Sequence, residues 1–112
     1  MSRRGRSTPQ LTVIWWRDIP AQVVARAGAQ TVKASLPVRF QAAIDRAAMR
    51  AGVVGSDAYL DLWQRRSRPC GDDLQAEVDA EVAQLDARFP PEALAALVRA
   101  TAPPPLQKEP LS

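Results

Sequence analysis

The chain has 112 residues, 46% hydrophobic and 24% charged, with a formal net charge of +3, one cysteine and no histidine. That length argues for one domain, which buries roughly 60–70% of the surface its unfolded chain exposes. A lone Cys70 rules out an intrachain disulfide and leaves a reducing, cytoplasmic compartment as the expectation, and no apolar run approaches the roughly 20 residues that cross a bilayer.

Residues 1–10 carry Arg3, Arg4 and Arg6 among Gly, Ser and Pro, without periodicity, and read as a flexible basic arm. The apolar stretch that follows is too short, and too soon interrupted by Arg17-Asp18, to complete an export signal. Leu11 to Arg17 is β-branched and aromatic and predicts a strand. Val13 and Trp15 fall on one of its faces, Ile14 and Trp16 on the other, so this strand needs cover on both sides. Asp18-Ile19-Pro20 then turns the chain. Residues 22–36 predict a hairpin with Val23, Ala25, Val32 and Ala34 on its buried face, Gln22, Arg26, Thr31 and Lys33 on its wet face, and Gly28 at the tip. The product is a three-stranded antiparallel sheet.

Pro37 opens a first helix, in which Phe40, Ile44, Ala47, Ala48 and Ala51 form one stripe and Arg39, Arg46 and Arg50 share another face, with Gly52 as terminator. Ser56 caps a second helix, predicted from Asp57 to about Arg66, with Tyr59, Leu60 and Trp63 as its apolar patch and Asp61 placed to support Arg65 four residues on. Ser67 to Gly71 breaks the pattern. Asp72 with Gln75 forms an aspartate variant of a capping box for a third helix striped by Leu74, Val78, Val82, Leu85 and Phe89. Pro90-Pro91 ends it and starts a fourth, Glu92 to Ala100. The expected class is therefore α+β: a three-stranded antiparallel sheet followed by two helices packed on it, then two further C-terminal helices. The expected segments are a 1–10 arm, a 11–66 α+β domain, a 67–100 helical extension on the same core and a 101–112 Pro-rich tail.

Catalytic chemistry finds few residues to use. Without histidine and with one cysteine, zinc, haem and iron–sulfur ligation lack ligands within one chain. Asp72, Asp73, Glu77 and Asp79 are the only carboxylate cluster, and acids at a helix start have an electrostatic reason to be there. A nucleophilic serine would have only Lys33 or Lys108 as its amine base. Cys70 precedes a helix start and follows Arg65, Arg66 and Arg68, which favour thiolate, while Asp72 and Asp73 oppose it. No Gly-rich loop has phosphate-binding spacing. Catalytic, cofactor-binding and metal residues are therefore all expected to be none.

Basicity is equally thin evidence for nucleic-acid binding. Arg3, Arg4 and Arg6 alone equal the net charge, and the rest is polarised: residues 17–68 hold nine basic and four acidic groups, residues 69–112 three basic and eight acidic. No groove-reading motif accompanies Arg39, Arg46 and Arg50. The sharpest feature is Trp15-Trp16, one of whose rings packs beneath helices while the other is covered either by the third and fourth helices or by a partner.

Thr12 to Val23 with its Trp15-Trp16-Arg17-Asp18-Ile19-Pro20 run, Leu36 to Gly52 with its Arg39-Phe40-Gln41 start, and Gly55 to Trp63 together resemble the bacterial virulence factor domain family. That domain also occurs in conserved virulence factor C type proteins, beside iron–sulfur-scaffold-like and helical-repeat segments. The resemblance spans residues 11–66 and leaves 69–112 outside. It implies no catalytic residues, and it implies company with one-carbon, folate-linked enzymes, hence an accessory subunit rather than a free-standing enzyme. The favoured expectation is a non-enzymatic protein-interaction module without cofactor or membrane contact, using Trp15, Trp16, Arg39, Arg46 and Arg50 toward a protein partner. The alternative is a nucleic-acid-associated regulator using the N-terminal arginines.

Overall fold

Strand alternation decides which side chains of the N-terminal half meet. In the computed structural model, which describes residues 8–101, β1 (Gln10–Trp16), β2 (Ile19–Ala27) and β3 (Gln30–Ser35) form two successive antiparallel hairpins. Leu11 lies opposite Ala25, Val13 opposite Val23, and Val23 opposite Ala34, so these side chains share one face, where Leu11, Val13, Val23 and Ala25 are buried. The second link turns at Gly28 with φ 60°, a backbone conformation that costs a glycine nothing. The first link is tighter than expected. Arg17 and Asp18 alone make the turn, Arg17 at φ 55°, and Ile19 and Pro20 already belong to β2. Pro20 cannot donate to the ladder. The register steps there from Ile14–Gln22 to Trp15–Pro20, which leaves Ala21 as the extra residue of a bulge, and the Ala21 carbonyl accepts the Leu36 amide at 3.0 Å.

The sheet has four strands, not three. Helix α2 stops after one turn, Asp57–Asp61, and the chain extends into β4 (Trp63–Pro69), antiparallel to β1, giving the order β3-β2-β1-β4. The expected helix to Arg66, its Asp61–Arg65 support and a break at Ser67 therefore do not exist. The physical reason lies in β1, an apolar strand with an unpaired edge. Trp63-Gln64-Arg65-Arg66-Ser67-Arg68 completes it through backbone hydrogen bonds, which any side chains can make, and a charged edge strand in turn resists further pairing. β4 also runs through the 66/67 boundary.

Helices cover one side of this sheet. α1 (Val38–Ala51) buries Phe40, Ala43, Ile44, Ala47, Ala48 and Ala51 and ends at Gly52, whose left-handed backbone (φ 73°) lets its amide reach the carbonyls of Ala48 and Met49. α3 (Leu74–Arg88) packs on β2 and β3, and α4 (Pro91–Ala100) packs on α1. The cap of α3 is Asp73 rather than Asp72, its carboxylate accepting from the Ala76 amide at 3.1 Å. Leu74, Val78, Leu85 and Leu94 join the same buried cluster as Leu11, Val23 and Phe40, so sheet and C-terminal helices share one core. The opposite side of the sheet carries Thr12, Gln22, Arg26, Lys33 and Arg65 around Ile14 and Val24. Most of the 1–10 arm and of the 101–112 tail lies outside the described residues.

Candidate functional site

Both tryptophans singled out in the sequence are covered by the chain itself. Trp15, 7% exposed, sits edge-on to Phe89 at the end of α3, with centroids 6.1 Å apart, and the Arg66 guanidinium of β4 lies 4.6 Å above its ring. Its indole N–H is buried without a partner among the described residues. Trp16, fully buried, donates its indole N–H to the Tyr59 carbonyl at 3.0 Å, and its ring lies 5.6 Å from that of Tyr59. The one-turn helix α2 exists at the place where it caps Trp16.

The three arginines of α1 do not form one free surface. Arg39 points at the end of α3, where its guanidinium donates to the Asp86 carboxylate and, at 2.9 Å each, to the Asp86 and Phe89 carbonyls. A cation at a helix C-terminus both satisfies orphan carbonyls and opposes the dipole. Arg50 donates to the Thr101 carbonyl at 2.9 Å beyond α4. Arg46 is exposed and, among the described residues, makes no hydrogen bond or ion pair. Two members of the expected interaction set are therefore ties between α1 and the C-terminal helices.

Cys70 is half-buried. Burial, then the Glu77 carboxylate, push its thiol above the ordinary range against a smaller opposing pull from Arg68, so Arg68 does not activate it. Among the described residues no group of three or more His, Cys, Asp or Glu is placed to hold a metal ion, and no helix is long and apolar enough to cross a membrane.

A further concavity lies elsewhere, between the second half of α1 and the loop before α2. Asp45, Ala48, Met49, Val54, Gly55 and Tyr59 line a cleft of about 330 Å³, at the small end of ligand-sized sites. Gly52 ends α1, Val53 folds back so that its amide reaches the Ala48 carbonyl at 3.1 Å, and Val54 is left outside, 61% exposed. Met49, which lines the same cleft, is also exposed. Met49 and Val54 escaped the sequence reading, which followed the buried stripe of α1. The available signal was apolar residues off that stripe, at 49 and 54, flanking a helix end.

Comparison with known proteins adds one finding. A family model described as Virulence factor matches residues 14–98. The chain belongs to the virulence factor family. The match runs past residue 66 through β4, α3 and most of α4, so the C-terminal helices are part of the virulence factor domain and not outside it, as the resemblance over 11–66 had implied. No curated protein and no solved structure matches the chain.

Proposed function

We propose that this virulence factor domain is a non-catalytic accessory module that docks a protein partner at the α1–α2 cleft. The reading rests on one observation: Met49 and Val54, each more than three-fifths exposed, line a largely apolar hollow together with Ala48 and Tyr59. Fully burying each is worth about 1.5–3 kcal/mol, against roughly 4–15 kcal/mol for lost freedom on association. The cleft alone therefore supports a weak complex, and a tighter one needs polar rim contacts. Asp45 lines the rim, and exposed Asp57 and Asp61 lie on neighbouring α2. The fitting occupant is a segment with an apolar anchor flanked by a cation. Enzymes of one-carbon, folate-linked metabolism are the class to test first, from the company that the family resemblance implies.

A photo-crosslinking residue at Val54, introduced into the full chain in its native cell, tests this. One partner should be captured at Val54 and not from the same residue placed at Arg99, and M49D should abolish capture while leaving the melting temperature unchanged. No adduct, or the same adducts from both sites, would remove the basis for a docking cleft.

A further inference from the structure

The cations of this chain divide into those the fold uses and those it leaves over. Arg39 and Arg50 hold the ends of α3 and α4. In β4, strand alternation sends Arg66 over the Trp15 ring and Arg68 to Glu81 of α3 at 2.9 Å. Arg65, one residue before Arg66, goes to the other face, where it lies opposite Ile14. Arg26 and Lys33 reach that same face from β2 and β3. These three side chains, with Thr12 and Gln22, surround a hollow of about 110 Å³ floored by Ile14 and Val24. None of the three makes an ion pair among the described residues. The four strands contain no Asp or Glu at all, so no carboxylate from the sheet offsets them.

We propose that the open sheet face binds a phosphate group in this hollow. Three uncompensated cations around an apolar floor focus a positive field, and they match a doubly charged group with three equatorial oxygens better than a singly charged carboxylate with two. Neutral donors are present as well. The Thr12 and Ser67 hydroxyls lie 2.7 Å apart at the rim, so one proton is shared between them and the other is free to point at a ligand. The volume is well below the roughly 300–1,000 Å³ that a drug-sized ligand fills, so the hollow takes the phosphate itself while the rest of the ligand lies on the surface. The phosphate belongs either to a small phosphorylated molecule or to a nucleic-acid backbone.

Amide NMR of the full chain, titrated with inorganic phosphate at constant ionic strength and separately with an oligodeoxythymidylate, tests the site and separates the two sources. Inorganic phosphate should give saturable shifts at Thr12, Gln22, Val24, Lys33 and Arg65. R65Q and K33Q should each weaken it about tenfold, the loss of one charge-assisted hydrogen bond, and R46Q should not. A backbone ligand is assigned if the oligonucleotide binds the same residues far more tightly, with log K falling against log salt at a slope near −2 for three neutralised phosphates. A small phosphorylated ligand is assigned if it binds no more tightly than phosphate. All three substituted side chains are exposed, and the amide spectrum reports whether the variants remain folded. Absence of shifts on this face, or equal binding by the R26Q/K33Q/R65Q variant, would overturn the proposal.

Discussion

Replacing Arg39 by Gln perturbs the joint between α1 and the end of α3 while leaving much of the alkyl stem in place. The guanidinium donates to one carboxylate and two backbone carbonyls. The ion pair itself is half in water, with side chains 29% exposed for Arg39 and 48% for Asp86, so screening limits it to at most about 1 kcal/mol. The carbonyl contacts matter more. A hydrogen bond from a charged donor contributes about 1.5–3 kcal/mol, and the Phe89 carbonyl sits where that ring packs against both Trp15 and Phe40. R39Q should therefore lose about 2–3 kcal/mol, a fall of roughly 10–20 °C in melting midpoint for a domain near 100 residues. D86N keeps both carbonyl contacts and should lose about 1 kcal/mol or less, and R46Q, at an exposed site, should stay within about 0.5 kcal/mol. Calorimetry or thermal circular dichroism on the three variants decides it. Equal losses for R39Q and D86N would refute the carbonyl clamp, and an R39Q as stable as R46Q would refute any structural role for this arginine.

Four further outcomes follow from side chains already described. Trp16→Phe should cost about 1 kcal/mol more than Trp15→Phe in urea melts, because only Trp16 gives up an indole hydrogen bond, to Tyr59; the reverse order would contradict the placement of the two rings. Iodide should quench neither ring in variants where Trp63 is Phe. The raised Cys70 thiol keeps the thiolate fraction low at neutral pH, so its alkylation should reach half-maximal rate at a more alkaline pH than a free thiol, and Glu77→Gln should bring that midpoint down. Asp73→Ala should cost about 1 kcal/mol by removing the cap on Ala76, whereas Asp72→Ala should cost little.

Local patterns carried most of the elements. The period-two run through Val23, Ala25, Val32 and Ala34 specified the second hairpin, and Phe40, Ile44, Ala47 and Ala51, bracketed by Pro37 and Gly52, specified α1. The expectation that β1 needs cover on both faces failed: Trp15 and Trp16 share one core, and Ile14 lies on the face the helices leave open. β4 carried no such pattern. Its residues are polar and basic, and its neighbours Ser56, Asp57 and Asp61 are good helix formers or caps, so local preference pointed to a helix that the free edge of β1 overrode. With β4 went the candidate sites. Which arginine covers Trp15, which pairs with Glu81 and which is left over on the open face depends on the register Ile14–Arg65 and Val13–Arg66, and one residue of slip would exchange them. The cleft beside Met49 and Val54 depends on how the chain folds back after Gly52 to bring Val54, Gly55 and Tyr59 against α1. Propensity and periodicity act within a few residues along the chain, and they determined the hairpin and the helices. The fourth strand and the hollow on the open sheet face were decided by pairing between segments some fifty residues apart, through backbone hydrogen bonds that leave no trace in side-chain composition.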